Sequence, residues 1–270
     1  MRKNKETVLS SSGIYYLNFS NLQKDGLLHG FTLRAGGVSP PPYDSLNLGL
    51  HVGDRPENVH RNRRLLAKSL GFAPEVITSG CQVHGTVIRE VGAGQRGLGH
   101  ATMEDALPET DGLLTAEPGV VLASYAADCA VLFYFDPEQR WVGLAHAGWR
   151  GAVLGMGALM VESLVQRGCR REDLCVAVSP AIGFCCYEVG EEVVAAVDSR
   201  LHRQVFRTER GKVYFNLSHF LCLQLTDAGI SKNRLFKSCY CTSCRRDMFY
   251  SYRAAGGRTG RMAGVIALLW

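Results

Sequence analysis

Residues Val120 to Gly151 read VVLASYAADCAVLFYFDPEQRWVGLAHAGWRG. Three short apolar runs within them, Val120 to Tyr125, Val131 to Phe135 and Trp141 to Ala145, have the length of strands. Asp136-Pro-Glu-Gln-Arg140 separates the last two and is a polar turn of the kind that joins antiparallel neighbours. A hairpin built this way sets its two open ends side by side. Cys129, in Ala127-Asp-Cys129, then lies near His146, in His146-Ala-Gly-Trp-Arg-Gly151. A thiolate and an imidazole so placed can share one metal ion. A buried histidine capping a turn fits the same spacing, and the spacing weighs the two equally.

Outward from this stretch, Leu27 to Leu33, Val87 to Val91, Leu174 to Val178 and Gly264 to Leu269 are further candidate strands. Helices are expected over Pro56 to Leu70, which has Pro and Glu in its first turn and Gly71 at its end, and over Gly151 to Arg167, which stops at Gly168. Glu188 to Val197 and Leu217 to Asp227 are two more. Strands interleaved with helices, with at least one hairpin, predict a layered α/β (α+β) protein with a mixed sheet. Neither an internal repeat nor a Pro/Gly/Ser linker divides the chain. Residues 1–270 are therefore expected to form a single domain, with residues 1–25 as a peripheral N-terminal segment.

The 270 residues are 46% hydrophobic and 20% charged, a balance that leaves no tract to assign to disorder. The charged N-terminus leads into no apolar core of signal-peptide length, and no apolar run is long enough to cross a bilayer. A cytoplasmic protein without membrane association is expected. Its ten cysteines then read as thiols, some available to metal, rather than as a disulfide framework. The net charge of +5 is spread over Arg61, Arg63, Arg64, Arg167, Arg170, Arg171, Arg245 and Arg246. It favours an anionic substrate but lacks the basic stripe with aromatics that nucleic acid would require.

Other residues invite chemistry more weakly. Arg150 stands beside the helix start near Gly151, where free backbone N–H groups can hold an anion. His84, in Gln82-Val-His-Gly85, lies on a short connection between candidate strands, although a lone histidine is more often structural. Arg34 and Asn47, in a loop-rich stretch around Pro40-Pro-Pro42, could hold phosphate and a sugar or base; ordinary turn chemistry is the alternative. Arg258-Thr-Gly-Arg261 invites the same phosphate reading. Cys239, Cys241 and Cys244 form a CxCxxC that lacks a fourth zinc ligand unless His219 or Cys222 supplies it. Cys185-Cys186 is a still weaker pair.

The segments FTLRAGGVS, YDSLNLGLHVGD, ENVHRNR, QVHG, ADC, HAGWRG, PAIGFCCYEVGEEV and SYRAAGGRTGRM follow one another from residue 31 to residue 262. In that order they resemble the laccase-domain, or YfiH-like, family, also called cytosolic polyphenol oxidases. The resemblance implies a four-layer α/β/β/α sandwich with mixed sheets. It also implies one zinc held by the histidine of QVHG, the cysteine of ADC and the histidine of HAGWRG, here His84, Cys129 and His146. The implied chemistry is phosphorolysis of adenosine, inosine or methylthioadenosine, with adenosine deamination, so a purine nucleoside and phosphate are the partners. Some members are linked instead to trimming peptidoglycan precursors. Ser179, Phe184 and Ala254 depart from the family's usual Gly, Pro and Arg.

Three protein ligands leave a zinc the open position that catalysis needs, whereas phosphorolysis depends on cations such as Arg34 or Arg150 to hold phosphate. Asp128 could orient a ligand or simply stabilise its turn. Cys129 activated by His146 is an alternative without metal, a hydrolase or deamidase of amides. A multicopper oxidase needs many histidines and an axial methionine; eight histidines without HxH or HCH argue against one, and copper enters only as a substitute at the His/Cys/His set. Oligomeric state is not legible in the sequence.

Overall fold

The computed structural model describes residues 5–269. In chain order the strands are β1 (Glu6–Ser11), β2 (Ile14–Phe19), β3 (Leu27–Thr32), β4 (Ile77–Ser79), β5 (Ile88–Glu90), β6 (Gly112–Thr115), β7 (Val121–Ala126), β8 (Ala130–Asp136), β9 (Trp141–Ala147), β10 (Cys175–Val178), β11 (Glu188–Val189), β12 (Phe206–Glu209), β13 (Lys212–Phe215), β14 (Leu235–Lys237) and β15 (Met262–Leu268). The helices are α1 (Pro56–Leu70), α2 (Trp149–Val153), α3 (Met156–Val165), α4 (Glu191–Ala196), α5 (His202–Val205) and α6 (Leu217–Asp227). The strands form two six-stranded sheets, ordered β1-β2-β3-β15-β7-β4 and β14-β10-β8-β9-β6-β5, and a small third sheet, β11-β13-β12. Most pairs are antiparallel; β4 with β7, β5 with β6 and β10 with β14 are parallel.

Side-chain alternation sorts the strands into layers. On β8, Val131, Phe133 and Phe135 point into the core between the large sheets, while Ala130, Leu132 and Tyr134 point outward beneath α3 and α6. On β7, Leu122 and Ala126 face the inter-sheet core, and Val121, Ala123 and Tyr125 face α1, whose buried Leu66 packs there. The result is the helix, sheet, sheet, helix sandwich that the resemblance implies. Removing one inner aromatic, such as the fully buried Phe133, costs about 3–5 kcal/mol by the cavity it leaves.

The hairpin joins β8 to β9 in the expected register, Val131 opposite His146 and Asp136 opposite Trp141. The Asp136 carboxylate closes the turn by accepting from the Glu138 and Gln139 N–H groups. The helices over 56–70 and 217–227 form as the sequence predicts. The helix expected over 151–167 does not run unbroken: it begins at Trp149 and divides at Gly155, whose φ of +85° belongs to no right-handed helix. Of Glu188 to Val197, the first two residues pair as β11 and only Glu191–Ala196 is helical. The N-terminal segment takes the edge of the first sheet. There β1 is largely exposed, but Ile14, Leu17 and Phe19 of β2 are wholly buried.

Candidate metal centre and its cavity

Gln82, Val83, His84 and Gly85 form a loop tied to both large sheets. The Gln82 amide clamps β7 from two sides, donating to the Tyr125 carbonyl at 2.9 Å and accepting from the Tyr125 N–H at 2.8 Å. Toward the second sheet, the N–H groups of Val83, His84 and Gly85 converge on the Asp111 carboxylate at 3.0, 3.1 and 2.8 Å. Three backbone donors around one carboxylate form an anion-binding nest. They hold His84 at φ +63°, a conformation that costs a side-chain-bearing residue about 1–3 kcal/mol unless its surroundings enforce it.

His146, the penultimate residue of β9, lies on its inter-sheet face, and its Nδ1 is 2.8 Å from the same Asp111 carboxylate. With the Nδ1 proton donated there, the Nε2 lone pair is free to face Cys129 and His84. Cys129, one residue before β8, comes opposite Gly148, so the hairpin ends do meet. A Cβ at Gly148 would stand 3.0 Å from the Cys129 Sγ and 2.9 Å from the His84 ring, so glycine alone fits. The His84 Nε2 lies 3.8 Å from the Cys129 Sγ, and the three donor atoms of His84, Cys129 and His146 all fall within 4.8 Å of one another.

Charges are set by mutual attraction against burial. Burial pushes the Cys129 thiol up, but the His146 charge and hydrogen bonds from both imidazoles outweigh it and bring it down to about 6. Burial likewise opposes a charge on His146, yet the Cys129 thiolate and the Asp111 carboxylate raise it to about 9. The set is thus poised as thiolate and imidazolium, and a metal cation can take the place of the imidazolium proton. Tetrahedral zinc at about 2.0–2.3 Å from each donor requires donor separations of roughly 3.3–3.6 Å, a contraction of at most about 1.5 Å from the separations of up to 4.8 Å seen. Two imidazoles, one thiolate and a carboxylate behind one imidazole fit zinc chemically, and the identity of the metal is not fixed by them alone.

The donors lie at the edge of a cavity of about 440 Å³, the size of a small-molecule site. Arg150, Arg253 and Arg261 line it together with Tyr187, Tyr252 and Trp149. The Arg150 guanidinium stacks on Trp149 at 4.4 Å and has no ion pair or hydrogen bond among the described residues. Arg253 and Arg261 are partly engaged, donating to the carbonyls of Glu188 and of Thr259 and Gly260. His51 also lines the cavity; burial and the neighbouring Arg261 charge hold it down to about 4, so it is neutral near pH 7.

Residues 28–269 match the family described as multi-copper polyphenol oxidoreductase laccase. The chain belongs to this family. It is 40% identical over 246 residues to purine nucleoside phosphorylase YlmD of Geobacillus stearothermophilus, covering 89% of this chain and 90% of that one. To a purine nucleoside phosphorylase of Deinococcus radiodurans it is 39% identical, covering 96% and 95%. Among solved structures, Bacillus licheniformis hypothetical protein YfiH superposes with a TM-score of 0.91 at 34% identity over 99% of this chain and all of that one. The YlmD structure from G. stearothermophilus gives 0.90 at 36% over 98% and 99%.

Within this laccase-type chain, two expected substrate contacts lie elsewhere. Arg34 pairs with Asp44 at 2.8 Å, donates to the Asp44 and Arg246 carbonyls and sits over the Tyr250 ring, away from the cavity lining. Asn47 is fully buried; it spends its amide on Gly49, Asp54 and the Arg261 N–H, so it supports the wall without facing the cavity. Arg258 stacks toward Tyr43, leaving Arg261 as the member of Arg258-Thr-Gly-Arg261 that lines the cavity. Arg63, counted above with the diffuse surface charge, is buried and saturated by the carbonyls of Leu48, Gly99 and His100. Asp128 lies in the cavity lining, with its carboxylate accepting from the Thr242 and Ser251 hydroxyls and the Arg253 N–H. Asp111 was not legible as a site residue, because Thr-Asp-Gly before a strand reads as a turn. Of the CxCxxC, Cys241 and Cys244 join Cys185 and Cys186. Cys239 turns to Glu6, and neither His219 nor Cys222 takes part. No helix among the described residues is long and apolar enough to cross a membrane.

Proposed function

We propose that residues 1–270 act as one laccase-type domain, a cytoplasmic zinc-dependent purine nucleoside phosphorylase acting on adenosine, inosine and methylthioadenosine, with adenosine deaminase activity. The observation that carries this reading is the three-donor set in the lining of a cavity that Arg150, Trp149, Tyr187 and Tyr252 also line. The names of the relatives support it. His84, Cys129 and His146 would hold the zinc, which supplies Lewis acidity and activates water for deamination. Asp111 keeps the His146 proton on Nδ1 and the 83–85 loop in place. Arg150 and Arg261, which both line the cavity, bind phosphate so that one of its oxygens faces the ribose C1′; the C1′–O bond forms as the C1′–N9 bond breaks, and the bond's electron pair departs with the purine, which takes up a proton. Tyr187 and Tyr252 offer faces against which the base stacks.

The test is inosine with phosphate, followed by chromatography. Hypoxanthine and ribose 1-phosphate should appear together and only with phosphate; adenosine should also release ammonia. Absence of ribose 1-phosphate from every purine nucleoside tried would overturn the phosphorylase reading.

One observation favours a second reading. Cys129, His146 and Asp111 form a thiolate, imidazolium and carboxylate series, as in enzymes that attack amides with a thiol. That chemistry has no use for His84 and is blocked by a bound metal. Amide hydrolysis by metal-free protein, unimpaired by His84→Ala, would establish it in place of the first. A copper oxidase is not supported: of eight histidines only His84 and His146 share a donor cluster among the described residues.

A further inference from the structure

We propose that Cys185, Cys186, Cys241 and Cys244 form a second metal centre, a closed tetrathiolate site for one zinc ion that staples two loops behind the cavity wall. The four sulfurs lie within 4.8 Å of one another, with Cys185 at 3.3 Å and Cys186 at 3.4 Å from Cys244. Tetrahedral zinc with about 2.3 Å bonds to sulfur requires roughly 3.8 Å between sulfurs, close to what is found. An iron–sulfur cluster would spread its cysteines farther apart, so the spacing selects a single ion. Four protein donors fill a tetrahedral zinc, which marks a structural rather than a catalytic site.

The backbone is arranged around these sulfurs. Ala181 and Cys241 form a parallel bridge, and the Gly183 N–H donates to the Cys241 Sγ at 3.1 Å. Such N–H to sulfur bonds stabilise a coordinated thiolate. A Cβ at position 183 would stand 3.1 Å from the Cys241 Sγ and 3.2 Å from the Cys185 Sγ, so the chain approaches the cluster as closely as only glycine allows. Cys185 and Cys244 are exposed, which gives an ion its way in. Binding involves no redox change: each thiol that coordinates gives its proton to solvent, and the ion sheds its water. Thr242, inside the staple, holds Asp128 at 2.6 Å, and Ile182 and Tyr187, on either side of Gly183 to Cys186, line the cavity.

The site stands independently of the proposed activity, and its test uses the full-length chain purified under reducing conditions without added metal. Elemental analysis should find two zinc ions per chain in the wild type and in Cys239→Ser. One should remain in His84→Ala/Cys129→Ala, and one in Cys241→Ser/Cys244→Ser. Cobalt(II) added to metal-stripped His84→Ala/Cys129→Ala should give the intense near-ultraviolet charge-transfer and visible bands of tetrahedral thiolate coordination, a readout that does not require the Cys241→Ser/Cys244→Ser protein to fold. Metal-free His84→Ala/Cys129→Ala without cobalt–thiolate bands would overturn the proposal. So would a Cys185–Cys244 or Cys186–Cys244 disulfide in the protein as purified.

Discussion

His29 on β3 and His146 on β9 are sealed from solvent almost equally, at 4% and 3% exposure, yet burial has opposite outcomes in the two sheets. The His29 Nε2 accepts the Phe19 N–H at 3.0 Å and no carboxylate among the described residues faces it, so desolvation pulls it down to about 4 and it stays neutral. His146 feels the same desolvation, but a thiolate and the Asp111 carboxylate reverse it and raise the imidazole to about 9. Burial alone therefore does not mark a functional histidine; the charged partners around it do. The largest effect should separate the two. His146→Ala should lower kcat/KM for inosine phosphorolysis by about 10³-fold, since several kcal/mol of Lewis-acid stabilisation at about 1.4 kcal/mol per decade are lost. His29→Gln, which keeps an acceptor for Phe19, should stay within a few-fold of wild type. Equal activity in the two variants would break the contrast.

The next effect sharpens it from the structural side. His29 is lowered in the folded state, so between its ordinary value of 6.5 and about 4 the unfolded chain binds a proton that the folded chain refuses. Stability is fully present above pH 6.5 and falls by about 3 kcal/mol, a factor of about 10² in the folding equilibrium, as pH drops through that window. Urea unfolding of wild type and His29→Gln at pH 7 and 4.5 isolates this contribution, because the carboxylates common to both proteins cancel. Parallel pH dependences would show that His29 is charged or accessible in the folded protein.

Which of these features could be read from the chain follows from their range in sequence. The β8–β9 hairpin, α1 and α6 are encoded by local alternation, turn residues and helix ends, and Cys129 and His146 came with the hairpin. β1 was hidden because its side chains are mostly exposed, and β12 because its FRTE run carries no apolar face. His84 reaches the site only through contacts made after folding, Gln82 to β7 and the 83–85 loop to Asp111, and no local pattern encodes those. Cys185 and Cys186 stand more than fifty residues from Cys241 and Cys244, and the parallel pairing of β10 with β14, continued by the Ala181–Cys241 bridge, brings them together. Arg34 and Asn47 drew attention as polar residues in a loop. Their bonds are spent within that loop and on the Arg246 carbonyl and the Arg261 N–H, and α1 holds the loop through Asn62, which donates to the Ser45 and Asn47 carbonyls.

Asp111 is the residue by which His146 departs from His29, so altering it tests the cause of the difference. Asp111→Asn keeps the shape, but its NH2 must face one or more of the three N–H donors at 83–85. The zinc affinity at His84, Cys129 and His146 should fall by about 10- to 100-fold, as for carboxylates behind other metal-bound imidazoles. Competition with a chromogenic chelator, in the Cys241→Ser/Cys244→Ser background, measures it. Unchanged affinity would mean that the carboxylate serves the 83–85 loop alone.

The smallest effect concerns Cys129 in metal-free protein. With its thiol brought down to about 6, Cys129 is thiolate above that pH, so alkylation by iodoacetamide should rise through pH 6 and level off by about pH 8. An ordinary thiol is still gaining reactivity at about pH 8.5. At pH 7 the roughly 30-fold larger thiolate fraction is mostly offset by the lower nucleophilicity of a weaker base, which leaves Cys129 about two- to threefold faster than a free cysteine. Ten free cysteines require that the modification be followed on the Cys129 peptide. In His146→Ala the midpoint should move up, because the imidazolium opposite the sulfur is gone. Zinc added to the wild-type protein should suppress alkylation by occupying the same lone pair. Rapid alkylation that zinc leaves untouched would favour the thiol nucleophile, with Cys129 and His146 acting as a pair and His84 as a bystander.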